Sequence, residues 1–277
     1  MPEPPPPFDL WTSIVLGAVQ GATEFLPISS DGHIALLALL FGHTEMPLSM
    51  VVLLHVGTLI ATLLVFRSEV AELAASIARG LRAPRTWLKT REGRSIAAIA
   101  VASIPTALIG LALREAAEGF ARVPWIVGAC LLGTAVCVAS TRWTATKARR
   151  DDTAIPLSHA VVVGIAQGLA VLPGLSRSGS TIATLMLLGT AGPAAFRVSF
   201  LMSLPAVLGA AILELRHPDA VLADLGTVAL AGVGVSFGVG LASLLVLRRL
   251  IDRGRFWAFA CYLVPLGTAL IAWGSAG

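Results

Sequence analysis

The sequence predicts an all-α polytopic membrane protein, an inverted-topology repeat of two re-entrant helical hairpins plus six transmembrane helices. Three observations carry that prediction. The chain is 56% hydrophobic and only 13% charged, where a soluble domain holds about 25% charged residues. Its Lys and Arg are gathered into three short stretches between long apolar runs. One polar pattern, Gln-Gly followed by Pro, serines and Gly, occurs twice.

Six apolar runs are long enough for a bilayer core of about 30 Å, which takes roughly 20 helical residues. They are Pro47–Phe66, Ser95–Leu113, Val123–Ser140, Phe196–Leu213, Ala220–Leu247 and Phe256–Trp273. Trp11, Trp125, Trp143, Trp257 and Trp273 fall near the ends of apolar runs, as an interfacial aromatic belt requires.

Charge sets the expected orientation. The basic stretches are Arg67–Arg94, Thr141–Pro156 and Arg248–Arg255, whereas Arg114–Arg122 and Glu214–Asp219 are short and balanced, and no Lys or Arg precedes Arg67. The positive-inside rule puts the three basic stretches in the cytoplasm and the N-terminus outside. The same pattern accounts for the net charge of +4 without nucleic acid, which is excluded as a partner. The Pro-rich, acidic Met1–Asp9 has no basic region and does not read as a cleavable signal. Cys130, Cys137 and Cys261 lie in apolar runs without CxxC spacing and read as small buried hydrophobes.

On this orientation Leu10–Gly42 begins and ends outside, and Pro156–Ala195 begins and ends inside. Neither can cross an odd number of times, and Pro, Gly and Ser interrupt both. Each therefore reads as a helix–turn–helix whose arms of about ten residues, roughly 15 Å, reach the midplane and return. Such backbone is tolerated only where protein or a watery cavity surrounds it. Gly17-Ala-Val-Gln20-Gly21 matches Gly164-Ile-Ala-Gln167-Gly168 at an offset of 147 residues, kept again at Gly32 and Gly179 and slipped by one at Pro27 and Pro173. The chain thus reads as a single membrane domain, 1–277, with repeat halves of about 10–140 and 157–273, and its site is expected where the broken elements meet.

Chemistry is expected at both. In the first, Gln20 and Glu24 share a helix face at i,i+4. Pro27 and Gly32 should bracket a turn presenting Ser29, Ser30 and Asp31, with His33 opening the returning helix. Ionisable groups at membrane depth are costly and functional by default. The second is Pro173-Gly174-Leu175-Ser176-Arg177-Ser178-Gly179-Ser180-Thr181. Its glycines allow close backbone approach, its hydroxyls and helix N-terminus offer donors, and Arg177 supplies a fork that fits phosphate oxygens. A structural Arg177–Glu24 ion pair is the competing reading. His55 and Gln167 are secondary candidates, and Ser203-Leu204-Pro205 reads as a kink. His43, His159 and His217 receive no role.

Glu24-Phe-Leu-Pro-Ile-Ser-Ser-Asp-Gly-His33, with Pro173-Gly-Leu-Ser-Arg-Ser-Gly179 and Phe200-Leu-Met-Ser-Leu-Pro205, resembles the undecaprenyl pyrophosphate phosphatases, the bacitracin-resistance family of bacterial envelopes. The resemblance covers nearly the whole chain. It implies hydrolysis of the terminal phosphate of a C55 isoprenyl diphosphate, recycling the lipid carrier for peptidoglycan synthesis. It further implies a multi-pass protein of the bacterial cytoplasmic (inner) membrane whose site opens outward, and a divalent cation, Mg²⁺ or Ca²⁺. Carried over by motif, Glu24 is the essential carboxylate and a metal ligand, Ser30 the nucleophile, His33 its acid/base partner, and Arg177 the pyrophosphate clamp. Gln20, Ser29, Gly174, Ser176, Ser178, Gly179 and Ser180 are the substrate-binding candidates. Gln20 stands where many members have Glu, and Asp31 where Thr is frequent, so Asp31 becomes a second candidate ligand. The expected partners are the isoprenyl diphosphate and the bilayer, with a homodimer as the assembly state to test. A lipid-phosphate transporter or flippase is the alternative function.

Overall fold

The computed structural model describes residues 9–40, 48–144, 154–215 and 221–276. Among these, twelve α-helices and two short 3-10 turns account for the regular structure, with no strand.

The first broken element is α1 (Leu10–Phe25) and α2 (Ser30–Leu40); the second is α8 (Leu157–Leu169) and α9 (Arg177–Leu187). Five helices are long and apolar enough to cross a membrane: α6 (Arg91–Ala121), α7 (Pro124–Ser140), α10 (Gly192–Leu215), α11 (Val221–Asp252) and α12 (Ala260–Ala276). Two of these are counted with a neighbouring turn, α7 with Thr141–Trp143 and α12 with Phe256–Phe259. A sixth, α3 (Leu48–Val65), joins α4 (Arg67–Arg82) across an 82° bend at Phe66. Over their described residues all six expected runs are therefore helical, the fifth interrupted by a non-helical Gly226. The helices overrun most of those runs by several residues, because polar ends prolong a helix as readily as apolar ones.

The stretch Arg67–Arg94 is a correction. Read from charge as a basic loop, it is mostly α4 and a single turn, α5 (Pro84–Trp87). Its helicity was masked by the basic residues on the polar face. Trp87 folds back on α4, donating its indole N–H to Ser76 Oγ at 2.9 Å. Lys147, Arg149, Arg150 and the 216–220 connection lie outside the described residues.

Packing explains the glycines of the repeated motif. A Cβ on Gly17 would lie 2.4 Å from the Gly232 carbonyl oxygen, and one on Gly21 would lie 2.7 Å from Gly240 N. In the other half a Cβ on Gly164 would lie 2.3 Å from the Ala102 carbonyl oxygen. Each Gly-x-x-x-Gly face thus admits another helix backbone, α11 against α1 and α6 against α8, as small residues do in membrane interfaces. Phe25, Phe66, Phe196 and Phe200 form an aromatic cluster, with Phe196 and Phe200 edge-on at 4.9 Å. Outward-facing Ile104, Leu108, Leu111, Val136 and Leu230 are all at least 60% exposed, a surface suited to lipid.

Gly164→Ala is therefore expected to lower the thermal midpoint of the detergent-solubilised protein, by an amount equivalent to about 1–3 kcal/mol of overpacking. Gly110→Ala, with nothing within 4 Å of its added carbon, serves as the comparison and is expected to leave the midpoint unchanged or raised.

Candidate active site

The two broken elements meet tip to tip. α1 ends at Phe25, the chain turns through 26–29, and α2 starts at Ser30. Ser29 sits at φ 69°, a left-handed conformation that a side-chain-bearing residue holds only when its surroundings fix it. They do: Ser29 Oγ accepts from Gly32 N at 3.3 Å and from Gly174 N, in the opposite loop, at 3.0 Å. Gly174 itself lies at φ 91°, and a Cβ there would strike the Val127 carbonyl oxygen at 2.4 Å. Thr134 of α7 secures the second loop, donating to Gly174 O and accepting from Ser176 N, both at 2.9 Å. Ser176 caps α9, accepting from Gly179 N at 3.1 Å.

These contacts repeat the 147-residue offset in three dimensions. Ser29 and Ser176 are equivalent positions, and each side chain accepts from the N–H three residues on. Ser30 and Arg177 are also equivalent, and each is the first residue of its returning helix. The turn is thus shorter than expected: Ser30, Asp31 and Gly32 belong to α2 and not to the turn, which closes at the left-handed Ser29.

The charged groups gather across this junction. Glu24, with its side chain 8% exposed, pairs through Oε1 with Arg177 at 2.5 Å. Its Oε2 accepts from Ser30 Oγ at 2.6 Å and from Gln20 Nε2 at 3.0 Å. His55 Nε2 stands 3.4 Å from the same oxygen and 3.9 Å from Asp31 Oδ1, while its Nδ1 donates to the Val51 carbonyl at 2.8 Å. Ser176 and Ser178 Oγ lie 3.2 Å apart at the start of α9, and Ser178 also donates to Leu26 O at 3.4 Å across the junction. Ser180 is buried one turn into α9.

Two residues are placed otherwise than expected. His33 does not hydrogen-bond Ser30. Its Nδ1 bonds the Ser29 carbonyl and its Nε2 the Tyr262 hydroxyl, each at 2.8 Å; the first is the same contact, four residues back, that His55 makes with Val51. The serine proton points at Glu24 instead. Gln167 lies outside the cluster, donating to Thr106 Oγ1 at 3.3 Å and Met202 O at 3.4 Å. Thr134 and Tyr262 were missed altogether. Only the isolation of a single Tyr in the chain, inside an apolar run, could have drawn attention to the second.

The arrangement suits transfer of an anionic group: a hydroxyl with a carboxylate on its proton, and a guanidinium and hydroxyl-lined helix start opposite. The description bacitracin resistance protein BacA matches residues 13–269, both broken elements included. The chain belongs to this family. An undecaprenyl-diphosphatase of Desulfosudis oleivorans is 42% identical over 265 residues, covering 92% of this chain and 94% of that protein. One of Treponema denticola is 38% identical over 275 residues (97% and 99%), and one of Korarchaeum cryptofilum 37% over 262 (94% and 97%). Membership of the BacA family and the apolar helices together make this a multi-pass membrane protein.

The ion pair joining residues 153 apart in sequence is also a structural element of this BacA protein. Arg177→Met and Glu24→Gln should each lower the detergent melting midpoint, by the equivalent of about 3–5 kcal/mol for a buried charge left alone. The double variant should recover part of that loss; strictly additive losses would show that the pair is not coupled.

Proposed function

We propose that this protein is an integral membrane phosphatase that removes the terminal phosphate of undecaprenyl diphosphate, giving undecaprenyl phosphate and inorganic phosphate. That step would recycle the lipid carrier for peptidoglycan synthesis and raise resistance to bacitracin. The observation that carries the reading is the Ser30 hydroxyl held 2.6 Å from a carboxylate oxygen of Glu24, while Arg177 bonds the other oxygen. A binding protein or transporter needs the cation but not an aimed hydroxyl.

The mechanism follows from these atoms. Ser30 Oγ attacks the terminal phosphorus as Glu24 takes its proton; the Oγ–P bond forms and the P–O bond to the bridging oxygen breaks. Undecaprenyl phosphate leaves. Water then attacks the phosphoserine and its protons leave with the phosphate; the Oγ–P bond breaks and Glu24 returns the hydrogen to Ser30 Oγ, 2.6 Å away. His33, on the same side of α2 one turn from Ser30, has both ring nitrogens engaged, by the Ser29 carbonyl and the Tyr262 hydroxyl. Charge on the transferring group meets Arg177 and the hydroxyls of Ser176, Ser178 and Ser180. Gly174 and Gly179 keep backbone close to it, and Ser29 and Gln20 hold the loop and Glu24 in place.

A divalent cation, Mg²⁺ or Ca²⁺, fits the donor set. Glu24 and Asp31 are hard oxygen ligands converging on one side of His55, and Gln20 Oε1 is a buried acceptor without a hydrogen-bond partner. Among the described residues no three Asp, Glu, His or Cys side chains enclose an ion. Mg²⁺ ordinarily accepts one or two carboxylates and takes the rest from phosphate and water. When bound, the cation would supply neutralisation of phosphate charge. We place the protein in the bacterial cytoplasmic membrane as an inverted repeat, basic segments inside and the site opening outward; a homodimer is the assembly to test.

Purified protein in detergent with undecaprenyl diphosphate and Mg²⁺ is expected to release phosphate. Movement of the lipid between leaflets without phosphate release would favour a transporter instead. Ser30→Ala is expected to lose at least about a thousandfold in rate, and acid quenching of the wild type should trap phosphate on Ser30; full turnover by Ser30→Ala would leave direct attack by water. Arg177→Ala should raise KM as well as lower kcat, and Arg177→Lys should recover little, since a point charge does not reproduce the fork. Chelation should abolish turnover, and added Mg²⁺ or Ca²⁺ should restore it.

A further inference from the structure

The connection from α3 to α6 carries a surface that the candidate active site does not use. Both helices cross the membrane, so α3 ends at the face where α6 begins. α4 turns off α3 by 82° at Phe66 and therefore runs along that face, for about 24 Å at 1.5 Å per residue. α5 then leads through Thr90 into α6 at Arg91.

The apolar side of α4 changes company along its length. Val70 and Leu73 pack against the core. Ile77 and Leu81 continue the same stripe at helical spacing, yet they are 48% and 83% exposed. Leu88, just past α5, is a third uncovered apolar side chain at 52%. The opposite side of α4 bears Arg79 and Arg82, and Arg85 and Lys89 follow, all four exposed. Among the described residues no hydrogen bond or ion pair engages these four side chains. Trp87 fixes the segment against itself. Its indole N–H donates to Ser76 Oγ at 2.9 Å, and its ring covers Gly80, where an added Cβ would lie 2.7 Å from it.

Water alone would account for the four charges, and Arg79 and Arg82 also suit the C-terminal end of a helix dipole. Water does not account for Ile77, Leu81 and Leu88 left uncovered beside them. A helix lying in the boundary of a bilayer needs both features, hydrocarbon for one edge and an anionic surface for the other. Guanidinium forks fit headgroup phosphates. We propose that α4 and α5 form a docking surface for anionic phospholipid, with Arg79, Arg82, Arg85 and Lys89 on the headgroups and Ile77, Leu81 and Leu88 beside the acyl chains.

The full-length protein in detergent can be titrated with phosphatidylglycerol or phosphatidylcholine of the same acyl chains, and bound lipid counted by native mass spectrometry. A basic residue near an anionic surface contributes about fivefold in affinity, so phosphatidylglycerol is expected to bind at least about twentyfold more tightly. Replacing Arg79, Arg82, Arg85 and Lys89 together with Gln should bring the two lipids within about threefold of each other. The same loss of charge at Arg248, Arg249, Arg253 and Arg255 should leave a preference of at least about tenfold. Equal affinity for both lipids in the wild type, or a preference that falls equally in the two quadruple variants, overturns the proposal. If the first quadruple variant does not fold, the wild type decides through its melting midpoint. Phosphatidylglycerol should raise it, and about 1 M NaCl should remove most of that rise by screening. An equal rise with phosphatidylcholine or with inorganic phosphate counts against an anionic lipid surface. Neither readout involves turnover, so the outcome is independent of the phosphatase reading.

Discussion

The Glu24–Arg177 pair is the constraint around which the structure is arranged. Either charge alone in an apolar interior costs several kcal/mol, about 2.5–3.5 for Arg or Asp on insertion scales, and neither side chain is more than 20% exposed. Each becomes tolerable only when the other is brought to it with further hydrogen bonds. Gln20 and Ser30 supply those to the carboxylate. The pair therefore forces two loops distant in sequence to a common point, and the fold must hold them there.

Holding them raises a second requirement. Loop backbone inside a bilayer protein leaves N–H and C=O groups that lipid cannot satisfy. Here side-chain hydroxyls take that duty. Ser29 receives two N–H groups, Thr134 binds one carbonyl and one N–H, and Ser176 caps α9. The hydroxyls that make the junction polar enough for phosphate are thus the ones that make it stable as backbone. Glycine does the complementary work outside the junction, letting α1 and α8 approach their partner helices closely.

Much of this was legible in the sequence because lipid imposes strong rules. Apolar length located the spanning helices, and Pro, Gly and Ser inside otherwise apolar segments marked both broken elements. Two things were hidden. α4 is helical in spite of its charge, since an amphipathic surface helix and a basic loop share a composition. The partners of His33 were hidden as well: its Nε2 reaches Tyr262 of α12, and it is His55 of α3 that stands beside Glu24. A contact with α3 or α12 depends on how whole helices pack, and a motif of ten residues does not contain that information.

The repeat offset gives the site its logic. Ser30 and Arg177 stand 147 residues apart, each as the first residue of the helix that follows its loop. The neighbouring positions divide in the same way. Glu24 corresponds to Val171, Asp31 to Ser178 and His33 to Ser180. One half keeps carboxylates and an imidazole, groups that move protons; the other keeps hydroxyls and a fixed cation, groups that hold an anion. Neither set can do the other's work. Two loops of the first kind would place four carboxylates together and repel phosphate, and two of the second would bind it without activating a nucleophile. Opposing unlike loops supplies both functions at one point, and the attraction between the acid of one and the guanidinium of the other is also what brings them together.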